Sequence, residues 1–204
     1  MSPIRFRFPL VLATLAIVLS ASSCALPFPT KSDANDALLA LYRHDQFRPL
    51  VIDYYANLTK DRGVALAILE TCDELEVDPS LAFAMAWNES RFNPKAVNFN
   101  ANSSDRGLFQ LNSRTFTRLD RKTLFDPKSN ARLGLKYYKM ALGRLGSEAK
   151  ALGYYNSGIG LLTDRTLPRS TQAYVKRVLE DRDRMDRDGI AWIYFSHDTR
   201  LALR

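Results

Sequence analysis

Apolar residues recur at helical spacing through most of the chain. Ala131, Leu135, Tyr138 and Leu142 are separated by four, three and four residues, which places them on one face of a helix. Val64, Ile68, Cys72 and Leu75 form a second stripe, and Ala82, Met85, Ala86 and Glu89 a third, in which a carboxylic acid completes an otherwise apolar face. Asp78-Pro79 ahead of this third stripe pairs a capping side chain with a proline suited to the first helical turn. The pattern predicts helices over residues 33–44, 47–58, 61–76, 79–90, 127–144, 147–157 and 170–185. Strand signals are sparse, so the expected fold class is mainly α. The longest polar stretch is Asn93 to Asp105, rich in Asn and Ser; a loop of that length in a compact domain more often carries function than fills space.

The first 23 residues follow a different pattern. Arg5 and Arg7 precede an apolar run from Leu10 to Leu19, and Ala21-Ser22-Ser23 stand before Cys24. Such a run is too short for a membrane span and matches a secretory signal. Small residues directly before a cysteine resemble a bacterial lipoprotein box, which implies lipidation of Cys24 and attachment to a membrane. Ala21 departs from the usual leucine of that box, which leaves ordinary signal cleavage as the alternative. The expected organisation is a signal peptide at 1–23, a tether at 24–35, N-terminal helices at 36–60, the principal domain at 61–185 and a C-terminal extension at 186–204.

Composition narrows the chemistry. The chain has 204 residues, 46% of them hydrophobic, enough for one core. Cys72 shares its stripe with core residues, and with Cys24 lipidated no second thiol remains for a disulfide. His44 and His197 lack ligand-spaced partners, so neither a metal nor a cofactor is expected. The acidic and basic run at 181–188 fails as a calcium loop because Met185 stands where an oxygen ligand is needed. Without residues 1–23, the 29 basic side chains lose two, leaving 27 against 22 acidic, a net +5. A mildly basic exported protein suits an anionic envelope polymer or membrane surface; no nucleic-acid motif appears. The localisation expected is the cell envelope, and the state a monomer.

Glu89 is the candidate acid. A carboxyl group on an apolar face loses hydration on ionising, so its pKa rises, and an acid still protonated near neutral pH can donate a proton in catalysis. The alternative is a helix-end glutamate turned out to solvent. Around it runs Trp87-Asn88-Glu89-Ser90-Arg91-Phe92-Asn93-Pro94-Lys95-Ala96. Then come Gly107-Leu108-Phe109-Gln110-Leu111-Asn112, Tyr154-Tyr155-Asn156-Ser157-Gly158, and Tyr174-Val175-Lys176-Arg177-Val178. These four blocks, in order and register, resemble the catalytic domain of the soluble lytic transglycosylases, a lysozyme-like family that cleaves bacterial peptidoglycan. The resemblance covers about residues 60–180.

It implies a lysozyme-like helical domain with at most a small β-hairpin near residues 100–112. It also implies Glu89 as proton donor, Tyr155 and Asn156 lining the cleft, and Tyr174 supplying a further hydroxyl to substrate. Gly107 would let backbone approach the saccharide closely, and the Gln110 amide would meet sugar hydroxyls or acetamido groups. Read from spacing alone, both tyrosines fit a core equally well, and Ser90, counted with the substrate-binding candidates, either orients Glu89 or ends its helix. The expected substrate is the β-1,4 bond between N-acetylmuramic acid and N-acetylglucosamine in peptidoglycan glycan strands.

Two departures from the family pattern matter. Asn98 falls where the family has a serine, within a longer loop, so the contacts of that serine do not carry over. Residues Ser103 to Arg114 also resemble the β-hairpin of animal-type lysozymes, in which the aspartate matching Asp105 is a second catalytic carboxylate. Asp105 is then either that carboxylate or a turn residue beside Gly107. One carboxylate implies ring closure to a 1,6-anhydromuramic acid end; two imply hydrolysis. A silent peptidoglycan-binding lipoprotein is the reading from another class.

Overall fold

The computed structural model describes residues 37–158 and 167–202. The signal peptide, the tether and Cys24 lie outside the described residues. Eight helices and one small sheet are described: α1 (Ala37–Arg43), α2 (Arg48–Thr59), α3 (Arg62–Leu75), α4 (Pro79–Ser90), β1 (Val97–Asn100), β2 (Ser103–Arg106), β3 (Leu111–Asn112), α5 (Arg121–Phe125), α6 (Pro127–Leu145), α7 (Glu148–Ser157) and α8 (Arg169–Ala202). The mainly helical expectation holds.

Helix starts follow side-chain capping. Asp61 accepts from the backbone N–H of Gly63 at 2.8 Å and Val64 at 3.1 Å. Asp78 accepts from Ser80 at 2.8 Å, and Asp126 from Ser129 at 2.8 Å. Each satisfies donors that the first helical turn leaves orphaned. α4 is apolar nearly all round, and every residue from Pro79 to Ala86 is buried, the condition of a helix packed on all sides. The ring of Phe83 stacks on Tyr55 of α2 at 3.8 Å, and α8 lies along α4.

α4 ends in a sharp turn. Arg91 and Phe92 both take left-handed backbone, with φ of 56° and 64°, a conformation that non-glycine residues hold only under outside constraint. The Phe92 ring, buried near Phe83 and Trp87 at 6.1 and 5.4 Å, supplies it. The chain leaves this turn into a three-stranded antiparallel sheet of order β1-β2-β3. The polar stretch Asn93–Asp105, expected to be a loop, is therefore largely β1 and β2, and the expected hairpin gains a third strand. Val97-Asn98-Phe99-Asn100 alternates apolar and polar, but all four β1 residues are exposed, so this four-residue alternation marks no buried face.

Gly107 has φ 79°. A Cβ there would lie 2.2 Å from Asn130 Nδ2 and 2.4 Å from the Leu124 carbonyl oxygen. The close backbone approach expected for substrate is thus an approach to α6 and the end of α5. The buried Asn130 holds this corner: its Oδ1 accepts from Phe109 N–H at 2.8 Å, and its Nδ2 donates to the carbonyls of Arg106 at 3.0 Å and Leu124 at 2.7 Å.

α8 runs unbroken past the predicted end at 185 to Ala202. Its charged middle lacks an apolar stripe but is laced by Arg184–Asp181 at 2.7 Å and by Arg182 to Glu148 of α7. Farther on, Ile193 is buried and Trp192 lies 6.1 Å from the Tyr54 ring of α2. Among the described residues no helix is long and apolar enough to cross a membrane, and no cluster of three metal-ligating side chains occurs.

Candidate active site

A cleft of about 630 Å³ opens where α4, the sheet, α6 and α7 meet. Glu89 from α4, Asp105 from β2, Gln110 from the turn before β3, and Tyr155 and Asn156 from α7 all line it. Five of the residues singled out from sequence are thereby brought into one groove.

Glu89 occupies the last turn of α4, with its carboxyl group largely surrounded by protein. Tyr174 of α8 donates its hydroxyl to Glu89 Oε1 at 2.6 Å. Burial pushes the Glu89 pKa up, the Tyr174 hydrogen bond favours the anion and pulls it down, and the Asp105 charge pushes it up; the outcome is about 7. Desolvation exceeds what one donor restores, so the acid is substantially protonated near neutral pH. Burial and the Glu89 charge hold the Tyr174 and Tyr155 hydroxyls well above the ordinary phenol range, which keeps both as neutral donors.

Asp105 lies between two amides. Asn112 Nδ2 donates to Oδ1 at 2.7 Å and Asn100 Nδ2 to Oδ2 at 2.8 Å. The same amides reach Ser103 Oγ, at 3.1 Å from Asn112 and 3.3 Å from Asn100. The sheet register explains the assembly, since Asn98 pairs with Asp105, Asn100 with Ser103, and Asp105 with Asn112, which places their side chains on one face. Asp105 is thus a fixed carboxylate in the cleft.

Three sequence-based expectations are corrected by this geometry. Ser90 is buried, and its hydroxyl donates back to the Ala86 carbonyl at 3.2 Å, so it closes the helix and does not line the cleft. Tyr174 is also outside the lining; its hydroxyl is spent on Glu89, which makes it a positioning residue for the acid. Gln110, with left-handed backbone at φ 46°, donates its Nε2 to the carbonyls of Gly107 at 2.9 Å and Ala96 at 3.3 Å. That leaves its amide oxygen, an acceptor only, for a ligand.

Sequence reasoning missed Asn100, Asn112, Arg114, Phe116 and Tyr137, which also line the cleft. Their signal was the density of Asn and Ser in the polar stretch, visible without showing which residues share a face. Tyr155 donates its hydroxyl to the Phe109 carbonyl at 2.7 Å, and Tyr137 stands edge-on to it at 5.8 Å. A second cavity, of about 690 Å³, is lined by residues of α2, α8 and the start of α3, including Asp53, Trp192 and Arg62. It shares no residue with the Glu89 cleft, and its acid, Asp53, is paired with Arg62 at 2.9 Å.

Comparison with known proteins agrees with this geometry. Two curated relatives, each named X polypeptide, come from Escherichia coli and from its K12 strain; each is 32% identical over 92 residues, covering 42% of this chain and 54% of the relative. The chain thus spans about half the length of the curated relatives it matches. No solved structure matches it. The family model described as Transglycosylase SLT domain matches residues 67–176, more than half of the chain, and that span contains Glu89, Asp105, Gln110, Tyr155, Asn156 and Tyr174. The chain belongs to the transglycosylase SLT domain family.

Proposed function

We propose that the protein is a peptidoglycan lytic transglycosylase that cleaves the β-1,4 bond between N-acetylmuramic acid and N-acetylglucosamine. The observation that carries the reading is a Glu89 carboxyl group with a pKa near 7, oriented by Tyr174 within a polar cleft. Glu89 gives its proton to the glycosidic oxygen as the bond to the muramic acid C1 breaks, and the sugar acquires oxocarbenium character. The Glu89 carboxylate then takes the proton of the 6-hydroxyl, whose oxygen closes on C1. The acid is regenerated, and a 1,6-anhydromuramic acid end forms without water.

The placement of Asp105 favours a second reading. Held in place by Asn100 and Asn112 in the same cleft, it would stabilise or trap the cation, and water would complete hydrolysis. Mass analysis of digested sacculi separates the two: anhydro ends support ring closure, and reducing ends support hydrolysis. Asp105→Asn keeps most of the rate under ring closure, with a loss within about tenfold, and loses a hundredfold or more, roughly, if the aspartate is a catalytic partner. Undigested material contradicts both.

The reading places the domain beside the cell wall, held at a membrane through a lipid on Cys24. Metabolic labelling with a fatty-acid analogue tests the anchor: label lost in Cys24→Ala supports it, and an unlabelled wild-type protein contradicts it.

A further inference from the structure

The charges lining the cleft are unequal in kind. Glu89 and Asp105 are acids, and Arg114 is the one cation among the described lining residues. Arg114 lies just beyond β3, two residues after Asn112. Its backbone is tied down: Asn112 Oδ1 accepts from Arg114 N–H at 2.9 Å. The N–H groups of Thr115 and Phe116 close on the Asn112 carbonyl at 3.0 and 2.9 Å. The Phe116 ring packs against Tyr137 at 5.8 Å, which fixes the segment to α6. The guanidinium itself is exposed and pairs with no carboxylate among the described residues. Some arginines elsewhere are matched, as in Arg43–Asp73 at 2.6 Å, Arg132–Glu74 at 2.6 Å and Arg184–Asp181 at 2.7 Å, but none of these lines the cleft.

A rigidly based, unpaired guanidinium at the rim of a ligand cleft is suited to a planar anion, which it can grip with two parallel hydrogen bonds. The sugars of a glycan strand are neutral at their ring hydroxyls and acetamido groups. The carboxylates of peptidoglycan belong to the stem peptides, which are joined to muramic acid through its lactyl group. A stem carboxylate would be repelled near Asp105 and Glu89 and attracted at the rim. Residues 114–122 continue the positive field with Arg118, Arg121 and Lys122. Their sole acid, Asp120, is engaged in capping α5 through Thr123 N–H at 2.6 Å.

Resting on the peptidoglycan reading above, we propose that Arg114 is a specificity-determining residue. It binds a stem-peptide carboxylate and makes the protein prefer strands whose stem carboxylates are free over strands whose stem carboxylates are amidated.

The test compares glycan strands whose stem peptides carry free carboxylates with the same strands after those carboxylates are converted to amides, using the wild-type protein, Arg114→Gln and Arg114→Lys. The expected kcat/KM ratio favours the free-carboxylate strands in the wild type. It falls about tenfold in Arg114→Gln, chiefly through KM, because one charge-assisted contact is lost. Arg114→Lys recovers part of the ratio, since lysine keeps the charge without the fork. Binding of both strand types to Glu89→Gln, with and without Arg114→Gln, reads the same preference independently of cleavage. Absence of cleavage by the wild type would therefore contradict the proposed reaction while the binding ratio still decides the role of Arg114. An Arg114→Gln ratio equal to that of the wild type, or a wild type with no preference in binding, overturns the inference.

Discussion

A carboxyl group becomes an acid at neutral pH when its ionised form loses more hydration than its partners return. Glu89 meets that condition because α4 is buried nearly to its end, while among the described residues one hydroxyl, that of Tyr174, supports the anion. Removing that hydroxyl has a sign that can be worked out. Tyr174→Phe deletes a hydrogen bond that favours ionisation, so the Glu89 pKa rises above about 7. Activity that needs protonated Glu89 declines with rising pH, and in Tyr174→Phe the decline moves to higher pH. The maximal rate falls roughly tenfold as the acid loses its orientation. A pH–rate profile on soluble glycan strands checks this; an unchanged or lowered limb contradicts it. The stripe of Ala82, Met85 and Ala86 made Glu89 legible in the sequence. The directions of the Tyr174 and Ser90 hydroxyls were not, because spacing fixes a helical face but not whether a side chain turns to the cleft or to its neighbour.

At the scale of elements, α4, which carries Glu89, meets α8 near both its ends. Asn88 donates to Asp181 at 2.8 Å next to Glu89. At the other end Asp78 caps α4 while buried near Asp186 and Arg182. Burial, with the Asp186 charge adding to it, raises the Asp78 pKa to about 7 against the Ser80 hydrogen bond and Arg182. A carboxyl group whose pKa is higher folded than unfolded favours the fold while protonated. Its contribution is fully present below the unfolded value of 3.8 and is lost as pH rises to about 7. Asp78→Asn keeps an oxygen to cap Ser80 and removes the titration. Denaturant unfolding between pH 5 and 8 should therefore show stability falling with pH in the wild type and falling less in the variant. Parallel curves contradict the assignment. Helix positions other than the short α5 and the far end of α8 were readable here from caps and periodicity. β1 was not, because Val97 and Phe99 are exposed, at 40% and 81%, and strand pairing depends on partners distant along the chain.

Across the whole molecule, α1, α2 and the C-terminal half of α8 form a layer outside the span that the family model matches, and α1 and α2 pack back on α3 and α4. Gly189 is the tightest point of that layer: a Cβ there would sit 2.9 Å from Tyr54 Cε1 and 3.2 Å from Leu38 Cδ1. Tyr54 in turn donates its hydroxyl to the Met185 carbonyl at 2.9 Å. Gly189→Val should cost about 1–3 kcal/mol by overpacking and lower Tm by several degrees. A calorimetric Tm equal to that of the wild type contradicts the close fit. The length of α8 was hidden in the sequence because its charged middle, from Asp181 to Asp188, is stabilised by ion pairs and neighbouring helices, without an apolar stripe of its own.

The central claim is that Glu89 is a neutral acid inside the cleft. It is tested most directly by a ¹³C NMR titration of protein labelled at the glutamate side-chain carboxyl, with the Glu89 signal assigned by its absence from Glu89→Gln. The account predicts a signal that titrates near pH 7. A Glu89 carboxyl that titrates with the ordinary glutamates, near the unperturbed value of 4.5, contradicts it.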